Sequence, residues 1–157
     1  MAQSVRTLRT RNEALKFTGK TAVVVGGTAG IGRGVAVRLA KADVSVTILG
    51  RSAERGAEVV DQMQAVSTTA KHAFVPCNAM SLKDVSKFCA DFSSTNRKLD
   101  YLVCTQGMAT LQGRTETAEG IDEKLCLHYF SRVAFAQGLL PLLKAGDHPR
   151  FLSVLSG

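Results

Sequence analysis

Five short apolar runs, at residues 21–25, 44–49, 72–76, 101–105 and 151–155, alternate with longer segments of helical periodicity at 31–41, 53–65, 82–94 and 121–144. No other feature constrains the fold as tightly. The runs are built from Val, Ile, Leu and Phe without strict alternation, the pattern of strands buried on both faces. Strands joined through helices pair in parallel by right-handed crossovers, so helices must cover both faces of one open sheet. The expected fold is α/β, a doubly wound parallel sheet of about five strands flanked by helices on both faces.

The helical segments carry their own punctuation. Ser52 and Ser81 stand at N-cap positions, with Glu54 and Asp84 in the first turns. In the first helix Ile31, Val35, Leu39 and Ala42 recur at spacings of three and four, which predicts one apolar face. The segment 121–144 is apolar over much of its girth and predicts one long helix wanting cover on more than one side. Part of it is expected to be exposed, giving a surface for self-association. The last strand is expected to be an unprotected edge. Residues 108–120 form the one long irregular stretch, after the fourth strand, where ligand-facing loops lie in such sheets.

Charge excludes some partners. The net charge of +7 is concentrated at the start, where Arg6, Arg9, Arg11, Lys16 and Lys20 face the single acid Glu13. The rest of the chain interleaves acids and bases and carries no nucleic-acid footprint. Residues 1–17 read as a basic extension before a domain at 18–157, faintly like a mitochondrial transit peptide. No stretch approaches the ~18 apolar residues of a membrane span. Cys77, Cys89, Cys104 and Cys126 form no CxxC pair, so a metal site is not expected. Free thiols inside apolar runs fit a reducing compartment, the cytoplasm, with the mitochondrion as the alternative.

Chemistry enters after the first strand, at Val25-Gly26-Gly27-Thr28-Ala29-Gly30-Ile31-Gly32. Glycines at a strand-to-helix turn permit the tight bend and let backbone approach a pyrophosphate. The helix start then offers free N–H groups and the positive end of its dipole to phosphate oxygens. The second strand closes as Ile48-Leu49-Gly50-Arg51-Ser52. An Asp or Glu there would accept hydrogen bonds from a ribose 2′-hydroxyl; Arg51 instead suits a 2′-phosphate, with Arg33 as a second positive group. NADP is therefore the expected cofactor, ahead of NAD.

Taken together these residues resemble the short-chain dehydrogenase/reductase family, from about Phe17 to the last residue. The family's TGxxxGIG motif matches in every glycine, with Val25 replacing the Thr. Its NNAG motif corresponds to Cys104-Thr105-Gln106-Gly107, and the Asp near its adenine ring to Asn78. Leu139-Leu140-Pro141-Leu142-Leu143 fits its LLPLL pattern, while His128 stands at the position of its catalytic Asn. The strand at the end of the chain resembles the one closing on the family's catalytic serine, which maps to Ser156.

The resemblance implies a Rossmann-type sheet and hydride transfer between a nicotinamide and a carbonyl or alcohol. It implies cofactor contacts from Gly26, Thr28, Gly30, Ile31, Gly32, Arg33, Arg51, Asn78, Thr105 and Gly107, with Ser156 and His128 as catalytic candidates. It also implies a Tyr whose pKa is lowered by a Lys four residues on. Here Tyr101 is followed at that spacing by Thr105, and Tyr129 by Val133. The expectation is the cofactor-binding part of an oxidoreductase, incomplete at its carboxyl end and inactive alone. The alternative is a non-catalytic module that binds NADP(H) or a partner.

Overall fold

The computed structural model describes Thr7, Thr10, Asn12 and residues 14–67, 69–108 and 113–155. Strands β1 (Thr21–Val25), β2 (Ser45–Gly50), β3 (His72–Pro76), β4 (Tyr101–Cys104) and β5 (Arg150–Ser153) form one sheet in the order β3-β2-β1-β4-β5. Every neighbouring pair is parallel. Helices α1 (Gly30–Lys41), α2 (Ala53–Val66) and α3 (Leu82–Thr95) link the first four strands. The chain thus winds outward from β1 to β3, then returns to β4 on the other side. The strand order reverses between β1 and β4, and the carboxyl ends of those strands open a crevice.

Strand β1 shows how both faces become core. Val23 and Val25 pack with Phe88, Leu102 and Phe135, whereas Ala22 and Val24 pack with Ala36, Ala40, Val59 and Met63 on the opposite side. Each fully buried Val or Leu contributes about 1.5–3 kcal/mol relative to exposure. The expected serine caps form: Ser52 Oγ accepts from Arg55 N at 3.3 Å, and Ser81 Oγ from Asp84 N at 3.1 Å.

Two expectations need correction. Helix α1 buries Gly32, Ala36 and Ala40, whereas Ile31 is 65 % exposed. Small side chains let the helix axis lie close to the sheet, and the larger residues flank the contact. Segment 121–144 is also not one α-helix. It opens at α4 (Glu123–Leu125), widens into a π-turn at Cys126–Phe130, and continues as α5 (Ser131–Gly138). The π-turn bonds Ser131 N to Cys126 O, five residues back. A break at Leu139 precedes α6 (Leu140–Lys144), where Pro141 sits in the first turn and offers no N–H to continue the ladder. Leu125, Tyr129, Phe130 and Leu140 remain exposed, as do Phe151 and Leu152 on edge strand β5.

The amino ends of β1 and β4 are locked by Asp100, which is wholly buried. Its carboxylate accepts from Thr21 N at 2.9 Å, Asp147 N at 3.0 Å and Lys20 Nζ at 3.2 Å. Burial raises its pKa, but these donors outweigh that and hold it below the usual carboxylate range. At the amino end, Lys16 pairs with Asp43 at 2.8 Å and Arg38 donates to Asn12 O, tying the chain before β1 to the end of α1. Arg6, Arg9 and Arg11 lie outside the described residues.

Candidate functional site

The turn after β1 is built around contacts that only glycine permits. Gly26 has φ +78°, and a Cβ there would lie 2.9 Å from both Gln106 N and Thr105 Oγ1. A Cβ on Gly32 would run into Gly26 O and Thr105 Oγ1. The loop is held from two sides. Gly26 N and Gly27 N both donate to Leu49 O, at 3.0 and 3.1 Å. Thr105 donates from both N and Oγ1 to Val25 O, at 2.9 and 2.8 Å.

The start of α1 differs from those of α2 and α3. Its N-cap is Ala29, no side chain caps it, and no acid occupies its first turn. Its positive end therefore faces the crevice without a built-in counter-charge. A cavity of about 560 Å³ opens there. The glycine turn forms its floor, with Arg51 and Arg55 at the β2 end, Asn78 and Met80 beyond β3, and Thr105, Gln106 and Gly107 beyond β4.

Gly26, Thr28, Gly30, Ile31, Gly32, Arg51, Asn78, Thr105 and Gly107 meet on one cavity. Arg33 does not join them. It is exposed, and its Nε donates to Gln62 Oε1 on α2 at 3.0 Å, because the helical turn carries it past the crevice. Arg55 takes the place expected for it, one helical turn after Arg51. Its sequence signal is an arginine in the first turn of α2, four positions after Arg51 at the end of β2.

His128 stands behind the wall rather than on it. Its ring packs beside Gly107, and Nε2 lies 3.3 Å from Met108 N and 3.2 Å from Met108 O. That contact braces the loop leaving β4. Ser156 lies outside the described residues. Tyr101 is half-buried in β4 and Tyr129 is exposed on the π-turn.

A buried arginine completes the site from below. Arg132 on α5 is 5 % exposed, and its guanidinium donates to Cys104 O at 3.0 Å, Ser153 Oγ at 2.6 Å and Gln106 O. It joins the carboxyl ends of β4 and β5 behind the cavity. Its one sequence signal is a lone charge inside an apolar helical stretch. Thiol chemistry is disfavoured here: burial pushes both Cys77 and Cys104 up to about 12, so neither is a thiolate at neutral pH. Among the described residues no group of His, Cys, Asp or Glu is placed to hold a metal ion.

Comparisons with known proteins agree with this geometry. The sequence profile of the family described as short chain dehydrogenase matches residues 20–157. An oxidoreductase of Emericella nidulans is 35 % identical over 98 % of this chain and 47 % of its own length. A mouse polyprenol dehydrogenase is 35 % identical over 81 % of this chain and 38 % of its own. The Pseudomonas aeruginosa RhlG structure, an NADP active-site complex, superposes with a TM-score of 0.67 at 27 % identity, covering 83 % of this chain and 50 % of that one. The chain spans about half the length or less of these relatives. Parallel sheet, uncapped glycine turn and profile coincide over the same residues, and the chain belongs to the short-chain dehydrogenase family.

Proposed function

We propose that this chain binds NADP(H) in the cavity at the carboxyl ends of β1 and β4, as the cofactor-holding part of an oxidoreductase acting on a carbonyl or alcohol. The observation that carries the reading is the pair Arg51 and Arg55 on the cavity wall at the end of β2, where an NAD site would offer a carboxylate. The glycine cradle fits the group: Gly30 lies on the cavity and a Cβ there would meet nothing within 4 Å, so the backbone at the start of α1 is open to a ligand. The relative solved as an NADP complex supports the same choice. When bound, the nicotinamide supplies a hydride acceptor or donor. The chain's own residues hold the pyrophosphate at the α1 amides and the 2′-phosphate at Arg51 and Arg55. Asn78, Thr105 and Gly107 shape the wall.

Within this reading Ser156 is the group that meets the substrate oxygen, and His128 positions the β4 loop. The 157 residues hold no Tyr with a Lys four positions later, so the reading assigns them binding without turnover. The exposed residues Leu125, Tyr129, Phe130 and Leu140 of segment 121–144 are the proposed self-association surface, checked by light scattering over a concentration series. Four free, buried thiols support a reducing compartment, the cytoplasm, as the reading, with the mitochondrion as the alternative; among the described residues no helix is long and apolar enough to cross a membrane.

Titration of NADPH and NADH fluorescence tests the cofactor. Wild type is expected to prefer NADPH. Arg51→Ala removes charge-assisted hydrogen bonds worth about 1.5–3 kcal/mol, roughly ten- to a hundredfold in NADPH affinity, and leaves NADH affinity near wild type. Equal affinity for NADH and NADPH in wild type, unmoved by Arg51→Ala, would remove the NADP assignment.

A further inference from the structure

Arg132 is a cation without a counter-charge. Among the described residues it makes no ion pair, and its three partners are two backbone carbonyls and a hydroxyl. Its Nε and the neighbouring Gln106 Oε1 are both buried without a hydrogen-bond partner. Burial lowers its pKa from the ordinary arginine value, yet arginine keeps its proton at neutral pH. An uncompensated buried charge is expensive, and its field is screened little by water.

Its position gives that field a target. A dinucleotide lies across the point where strand order reverses. The glycine turn, Arg51 and Arg55 occupy the β1–β2 side, so the nicotinamide half falls on the side of β4 and β5. Arg132 ties the carboxyl ends of those two strands together, directly behind Gln106 of the cavity wall. The oxidised nicotinamide ring carries one positive charge and the reduced ring none. The only acid on the wall among the described residues is Glu123.

We propose that Arg132 sets the oxidation-state preference of the bound cofactor, its fixed charge disfavouring NADP⁺ relative to NADPH. The inference rests on the NADP(H) reading above. At an effective dielectric of ~20, a unit charge ~10–15 Å away alters the affinity ratio by roughly five- to twentyfold. The dissociation constants of NADPH and NADP⁺ are to be measured for the full chain and three variants, NADP⁺ by competition, with circular dichroism as the check on folding.

Arg132→Met is expected to cut the preference for NADPH by about five- to twentyfold. Arg132→Lys, which keeps the charge, stays within about twofold of wild type. Ser153→Asp, which keeps Arg132 and places a carboxylate where Oγ now sits 2.6 Å from its Nη1, moves the ratio in the same direction as Arg132→Met. If Arg132→Met does not fold, Ser153→Asp decides alone. A ratio unmoved by removal or neutralisation of the charge overturns the proposal, and so does an equal shift in Arg132→Lys, which would mean packing rather than charge. Failure of wild type to bind either form removes the cofactor reading itself.

Discussion

Gly32 and Gly34 lie two residues apart in α1, and the same substitution is expected to act on them with opposite sign. Replacing a helical glycine by alanine stabilises by roughly 0.5–1 kcal/mol, because the unfolded chain loses freedom. At Gly34 a Cβ would meet nothing within 4 Å, so Gly34→Ala should show that gain in full. For a chain of this size this is a rise in Tm of about 1–4 °C. At Gly32 the added methyl group would collide with Gly26 O and Thr105 Oγ1. Neither obstacle can turn aside, since one is backbone and the other is bonded to Val25 O at 2.8 Å. Overpacking costs about 1–3 kcal/mol. With the helical gain subtracted from the upper part of that range, Gly32→Ala should lose about 1–2 kcal/mol and several degrees of Tm. It should also weaken NADPH binding at least tenfold, because the displaced segment is the cradle itself. Thermal unfolding and fluorescence titration on both variants suffice as assays. If Gly32→Ala proves as stable as Gly34→Ala and binds NADPH like wild type, the close approach of turn, helix and β4 loop is not what shapes the site.

Two further outcomes follow from buried groups. Asp100→Ala would strand the amides of Thr21 and Asp147, while Lys20 keeps Asp147 as its partner, and urea unfolding should record a loss of about 1–3 kcal/mol for each buried donor left unpaired. His72 on edge strand β3 has both ring nitrogens buried without a partner, and burial lowers its pKa. The folded state therefore binds its proton less readily than the unfolded state. Stability is complete above the unfolded pKa of ~6.5 and falls as pH drops below it, until the folded pKa is passed. Urea midpoints measured between pH 7.5 and 5 should show that slope, and His72→Leu should remove its share of it; an unchanged slope in the variant would place the proton uptake elsewhere.

Much of the cavity was legible because its lining residues are local. Val25 to Gly32 forms one turn, Arg51 closes the next strand, and both positions follow from strand-to-helix geometry without distant contacts. Arg33 departs from its expected place because sequence proximity to the glycine turn says nothing of which way a helical side chain leaves the axis; it ends on Gln62 instead. The buried face of α1 departs from its apolar periodicity for a related reason. Periodicity weighs large residues, while close packing against a sheet selects small ones, here Gly32, Ala36 and Ala40. The break in the last helical segment was hidden because its apolar pattern continues through Leu139, and Pro141 is tolerated in the first turn of a new helix.

The amino-acid sequence by itself determined the alternation of strand and helix, the parallel doubly wound sheet and the glycine turn between β1 and α1. Each depends on periodicity, capping and backbone sterics within a few residues. Only the tertiary structure decided that Asp100 locks two strand ends and that Arg132 sits without a counter-charge beneath the β4 loop. Those assignments depend on residues between 21 and 79 positions apart in the chain meeting in space, on terms set by burial and hydrogen bonding. No local pattern encodes them, because the free energy of a buried charge depends on which groups the fold brings to it.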